Sequence, residues 1–118
     1  MSEARGGVLL RIDGALHFID AADAIAIEYA PRIERVAGAP DEIAGITAYR
    51  GGIIAVIALS SLPVTAMLVV RHANEMVGLV GVEIVATGTF TDEEAAPLDI
   101  AALHARVHGG AWAGRWGS

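Results

Sequence analysis

The feature that most constrains the fold is a charge-free stretch of twenty residues, Gly51 to Val70. This length would suffice for a membrane-spanning helix. However, the segment Ser60-Ser61-Leu62-Pro63 interrupts it, and the flanking runs are short and rich in branched residues. Short apolar runs bounded by turn residues are typical of buried strands. We therefore expect two buried β-strands here, with a membrane-associated subunit as the weaker alternative.

The rest of the chain repeats this pattern of short apolar runs separated by turn signals. Asp13-Gly14, for example, is a dipeptide that favours a hairpin turn. The pattern predicts seven to nine short strands, as in an all-β barrel or sandwich. Two helices are also expected. A short one begins at Asp20, and a longer one, Ile100 to His108, is capped by Asp99 and followed by a Gly-rich tail.

The composition disfavours several classes of function. The net charge is −6, and all eight basic residues are arginines. Binding to nucleic acid depends on neutralising phosphates, so an acidic chain without a basic cluster is a poor candidate for it. The absence of cysteine excludes disulfides, thiolate zinc sites and thiol chemistry. The first residues lack the pattern of a signal peptide, and we expect a cytoplasmic protein that needs no cofactor.

Catalytic and metal sites are weakly indicated. No Gly-x-Ser-x-Gly turn is present, and Ser60 and Ser61 are typical of a turn. His104 and His108 lie four residues apart on the expected C-terminal helix, which places two imidazoles on one face. A small metal-dependent enzyme or metal-binding protein built on this pair is the alternative function. No Glu follows His104 directly, as hydrolytic zinc motifs require.

Arg50 stands out because it is the only charged residue between Glu42 and Arg71. It is flanked by Tyr49 and by Gly51-Gly52. Two interpretations remain open from the residues alone. The guanidinium pairs with a carboxylate inside the domain, or it is a point of interaction with a partner, since Arg and Tyr are enriched at interfaces.

A family resemblance rests on residues 39–59, which read Ala-Pro-Asp-Glu-Ile-Ala-Gly-Ile-Thr-Ala-Tyr-Arg-Gly-Gly-Ile-Ile-Ala-Val-Ile-Ala-Leu. They resemble the signature of the CheW-like family of bacterial chemotaxis coupling proteins. That signature contains a Pro, then Gly-Val-Asn-Leu-Arg-Gly, then an apolar strand ending in Pro-Val-Ile-Asp-Leu-Arg. Residues 16–25 and 77–85 are similar to flanking elements of the family, so the resemblance covers residues 8 to about 90.

The resemblance implies an all-β fold with short helices, in which two small SH3-like β barrels pack together and the second is incomplete. It implies a single domain over residues 1–118, with the β region at 8–90, a C-terminal helix at 98–108 and a flexible tail at 109–118. It also implies no enzymatic activity, because members bind chemoreceptor tips and a histidine kinase. Receptor binding in the family uses the groove between the barrels. The receptor-binding residues carried over by the motif are Arg50 and Gly51, with Gly45, Ile46 and Tyr49 as weaker candidates.

The chain also departs from the family pattern. Ala55 stands in place of Pro, Ala58 and Gly81 in place of Asp, and Ser60 in place of Arg. Members are usually about 30 residues longer, and the missing part includes a late strand before the final helix. This shortened form is similar to the smaller CheW-like adaptors of Frizzy-type gliding-motility systems, and implies weakened or lost kinase binding.

A missing strand would leave a sheet edge exposed, and exposed edges invite pairing. We expect the C-terminal helix or tail to cover this edge, or a homodimer to pair it. The tail residues Trp112 and Trp116 are expected to pack onto their own domain, or else to anchor a partner.

Overall fold

The computed structural model describes residues 4–91 and 93–108, which form nine strands and one helix. The mostly-β fold class expected from the sequence is confirmed. The elements are β1 (Arg5–Ile12), β2 (Ala15–Asp20), β3 (Ala24–Tyr29), β4 (Ile43–Tyr49), β5 (Gly52–Ala58), β6 (Ala66–His72), β7 (Glu75–Val80), β8 (Glu83–Phe90), β9 (Ala96–Pro97) and α1 (Ile100–His108).

The strands form two sheets. One has four strands in the order β8-β1-β2-β9, and the other has five in the order β3-β6-β7-β5-β4. The five-stranded sheet curves back on itself, because Glu34, which follows β3, forms a bridge with Ile46 on β4. Two backbone hydrogen bonds join this pair, from Glu34 N to Ile46 O (2.9 Å) and from Ile46 N to Glu34 O (2.8 Å).

The charge-free stretch forms β5 and β6, as expected. Both strands bury both of their faces. On β5, Ile54 and Val56 point into the interior of the five-stranded sheet, whereas Ala55 and Ile57 point into the core between the two sheets. Strands buried on both faces have continuous apolar runs rather than alternating ones. No helix in the described parts of the chain has the length and apolarity needed to cross a membrane.

The helix expected to begin at Asp20 is absent, and that prediction was wrong. Instead, the Asp20 carboxylate accepts a hydrogen bond from Ala22 N (3.0 Å). The backbone carbonyl of Asp20 accepts a second one from Asp23 N (2.9 Å). These two bonds close a turn, a role that Asp side chains commonly take. Residues Ala24–Tyr29 then pair with β6 as a strand. This pairing overrides the local helical preference of the alanines.

The four-stranded sheet contains both the first strand of the chain and its last one. β8 pairs with β1 on one side, and no described strand pairs with its other side. Asp99 caps α1 by accepting a hydrogen bond from Ala102 N (3.0 Å). The helix packs mainly against β6 and β5, so it does not extend the β8 edge. The tail with Trp112 and Trp116 lies outside the described residues.

Candidate protein-binding site

The site begins with the hairpin that joins β4 to β5. Tyr49 lies opposite Gly52, so Arg50 and Gly51 are the two central residues of the turn. Their φ angles are +48° and +80°. Two positive φ angles define a type I′ turn, which favours Asn-Gly or Gly-Gly. A long side chain at the first position is conformationally unfavourable, so the geometry of the turn does not explain the arginine.

The Arg50 side chain is exposed, and its Cζ lies 5.1 Å from the centroid of the Tyr49 ring. Within residues 4–91 and 93–108, no carboxylate lies within ion-pair distance of it. No described residue therefore supports the interpretation of Arg50 as the partner of an internal carboxylate. A guanidinium stacked on an aromatic ring is partly oriented while its charge stays available to solvent.

The candidate residues before the turn are more buried than Arg50 and Gly51. Tyr49 is 5% exposed and Gly45 is buried, whereas Ile46 is half-buried and pairs with Glu34. Gly45 has φ +149°, and a Cβ built on it would lie 2.7 Å from the carbonyl carbon of Glu34. Of the five candidates, only Arg50 and Gly51 are exposed. Tyr49 supports Arg50, and Gly45 holds the backbone close to the neighbouring segment.

The same hairpin forms one wall of a groove of about 530 Å³ on the five-stranded sheet. At its rim are two exposed apolar side chains, Tyr29 (75% exposed) and Ile53 (58% exposed). The buried Met67 also lines it. Its other lining residues are Glu28, Pro31, Arg32, Glu34, Ile46, Thr47 and Ala48. Exposed apolar side chains around a groove mark interaction surfaces more often than chance.

A second groove lies between the two sheets and includes Leu62 from the loop before β6 and Ile84 from β8. Tyr29 lines both grooves. The groove beside the Arg50 hairpin thus belongs to one sheet, and Tyr29 separates it from the groove between the sheets. Tyr29 and Ile53 could not be identified from the sequence, because each belongs to an apolar run that predicts burial. The only available signal was Pro31, which places Tyr29 at the end of its strand.

The alternative metal site was expected on His104 and His108, and the structure describes the side chain of His104 alone of these two. His104 on α1 lies 3.3 Å from the carboxylate of Glu75, and its ring centroid is 5.0 Å from that of His72. Across the described residues, no group of three or more His, Asp or Glu side chains is arranged to hold a metal ion. The side chain of His108 lies outside the described residues, so the His104–His108 pair stays a prediction.

The chain is similar to known proteins in fold and not in sequence. No protein-family model matches the chain, and no curated protein matches it significantly. Among solved structures, the scaffolding protein TtCheW from Thermoanaerobacter tengcongensis matches with a TM-score of 0.61 and 21% sequence identity. The match covers 72% of this chain and 66% of the CheW chain. The fold is that of CheW.

The CheW match explains the pairing of two small β-sheets in one compact chain. It confirms the fold expected from residues 39–59, although the identity of 21% is too low to transfer function. The chain spans just under two thirds of the length of the CheW structure that it matches. Roles of CheW beyond the fold therefore enter only as proposals.

Proposed function

We propose that this chain is a non-enzymatic chemosensory adaptor that binds the cytoplasmic tip of a chemoreceptor through the Arg50 hairpin. The observation that carries this proposal is the state of Arg50 itself. It is exposed, it has no carboxylate partner among the described residues, and it occupies a backbone conformation that disfavours arginine. Residues held in unfavourable backbone conformations cluster at functional sites. In a CheW fold, a protein-binding role accounts for all three features.

The surroundings of Arg50 support binding to a protein. The exposed Ile53 lies one residue beyond Gly52, and the hairpin continues into the groove that Tyr29 borders. An aromatic and an aliphatic side chain beside a stacked arginine match the composition of binding hot spots. This combination of side chains therefore fits a protein-binding surface.

The binding test compares wild-type protein with Arg50→Ala and Arg50→Glu in a quantitative pulldown or titration with a receptor cytoplasmic tip. We expect Arg50→Ala to weaken binding by about tenfold, in line with loss of an interface arginine worth roughly 1–2 kcal/mol. Arg50→Glu is expected to weaken it further, because it reverses the charge. Unchanged binding in both variants would remove Arg50 from the interface and overturn the proposal.

Two control variants separate a binding effect from general damage. Arg11→Ala removes an exposed arginine of the four-stranded sheet, where it pairs with Glu83 at 2.7 Å. Surface ion pairs contribute little to stability, so this variant is expected to fold and bind normally. Tyr49→Phe keeps the ring under Arg50 and removes a buried hydroxyl that has no hydrogen-bond partner among the described residues. It is expected to bind normally and to be at least as stable as the wild type.

Weakened or lost direct binding of the histidine kinase is the second part of the proposal. It is supported by the four-stranded sheet, in which no described strand lies beyond β8, and by the resemblance of the sequence to shortened adaptors of Frizzy-type systems. We expect the regulatory domain of the kinase not to co-purify with this protein when receptor is absent. A receptor-independent complex that survives size-exclusion chromatography would show that kinase coupling is retained.

A further inference from the structure

The outer edge of β8 is unpaired in the described part of the chain. β8 is the terminal strand of its sheet, and seven of its eight residues pair with β1, its one described neighbour. Most of its side chains are exposed, and only Ile84 and Phe90 are half-buried. Unpaired N–H and C=O groups along such an edge form a template for another strand.

The regular part of this edge, Ala86 to Phe90, carries none of the charged or proline residues that normally protect an edge strand. Residues Ile84 to Phe90 read Ile-Val-Ala-Thr-Gly-Thr-Phe, with no charged residue and no proline. The one charged residue of β8, Glu83, is paired with Arg11 on the neighbouring strand. Natural edge strands usually carry lysine, proline or other devices that block pairing. Residues Ala86 to Phe90 therefore leave the edge open to a second strand.

The register of β8 restricts how a second strand can pair with it. Ala86 to Phe90 pair residue for residue with β1, whereas the ladder is shifted between Leu9 and Leu10, leaving Val85 as the extra residue. Directly opposed residues of antiparallel strands point to the same face. A second copy of the regular segment can therefore pair with all five residues only when the twofold axis passes through Gly88.

We propose that two copies of this chain form a dimer by antiparallel pairing of their β8 edges about Gly88. In this register Thr87 lies opposite Thr89 of the second copy, and Ala86 lies opposite its Phe90. Threonine pairs across strands are favourable, and Gly88 allows the two backbones to approach at the axis. The small Ala86 leaves room for the half-buried ring of Phe90.

The segment that would pair carries no charge that opposes a second copy. The five paired residues are uncharged, so two chains of net charge −6 bring no like charges together within the strand pair. The four-stranded sheets of the two copies would join into one eight-stranded sheet. Because the paired segment is short, the interface belongs to the small, transient class, with a dissociation constant in about the micromolar range.

The test uses sedimentation equilibrium on the full chain at about 100 µM, above the expected dissociation constant. Wild-type protein is expected to be dimeric. Thr87→Lys combined with Thr89→Lys places lysine opposite lysine in both symmetric pairs, and is expected to give a monomer. Thr87→Lys combined with Thr89→Glu places lysine opposite glutamate, and is expected to retain the dimer. Both threonines are exposed, so the two variants are matched in position and in expected folding.

Three results would overturn the proposal. The first is a wild-type monomer at this concentration. A monomer whose β8 amides are nevertheless protected from hydrogen exchange would point to residues of the same chain covering the edge. The second is a dimer that survives the double lysine substitution, and the third is a monomer in both variants. Arg50 lies on the other sheet, so the outcome is independent of receptor binding.

Discussion

Replacing Gly45 by alanine is expected to lower the free energy of unfolding by about 3 kcal/mol, the combined effect of backbone strain and overpacking. Gly45 has φ +149°, which side chains rarely adopt. A Cβ there would also collide with the carbonyl oxygen of Glu34 and approach the Cγ2 of Ile33 to 3.0 Å. The bridge between Glu34 and Ile46 must then open or shift, because the obstruction is backbone and cannot rotate away.

The measurement is denaturant unfolding followed by far-UV circular dichroism. Gly51→Ala is the matched control, since Gly51 also has positive φ (+80°) but a Cβ there would have nothing within 4 Å. Its expected cost is about 1–2 kcal/mol, from the left-handed conformation alone. If Gly45→Ala is no more destabilising than Gly51→Ala, the close approach of the two segments is not a source of stability.

Gly45 also affects the candidate binding surface, because it lies beside the groove. The segment from Pro31 to Glu34 forms one side of the groove beside the Arg50 hairpin, and the bridge to Ile46 holds it there. Gly45→Ala is therefore expected to weaken receptor binding while leaving Arg50 untouched. Gly45 thus acts by positioning the groove wall. If Gly45→Ala loses stability but binds the receptor normally, the groove is not part of the binding surface.

Several parts of the fold could be predicted from the sequence because local signals and tertiary packing agree. The runs around Ser60-Ser61-Leu62-Pro63 became β5 and β6 because both strands are buried on both faces. Asp99 caps a helix with one apolar face, and the bond to Ala102 matches that expectation. The sequence also predicts an exposed sheet edge, and no described strand pairs with the outer side of β8.

Other parts could not be predicted because they depend on pairing between distant residues. The alanines after Asp20 favour a helix locally, but the partner that makes β3 a strand is β6, about forty residues later. The groove beside Arg50 depends on the bridge between Glu34 and Ile46, and no local pattern indicates it. Ile53 belongs to an apolar run and is nevertheless exposed, because it lies at the end of the sheet beside the turn.

Gly81→Ala is expected to have a similarly large effect, a loss of about 3 kcal/mol of unfolding free energy. Gly81 connects β7 of one sheet to β8 of the other, with φ +73°. A Cβ on it would lie 2.6 Å from the carbonyl oxygen of Ser60 and 2.8 Å from its amide nitrogen. The Ser60 hydroxyl donates to the Gly81 carbonyl and accepts from Leu62 N, so the added carbon would displace a hydrogen-bonded junction.

Gly14→Ala is the control for this position, because Gly14 has φ +85° and open space around it. The difference between the two variants isolates the close packing at Ser60 from the conformational preference of glycine, which both share. A further variant, Ser60→Ala, is expected to cost only about 1 kcal/mol, the usual contribution of one hydrogen bond. A larger loss in Ser60→Ala than in Gly81→Ala would mean that the hydroxyl, and not the backbone contact, joins the two sheets. Because Gly81 also sets the direction in which β8 leaves the core, its alanine variant is expected to disturb the β8 edge more than the Arg50 hairpin.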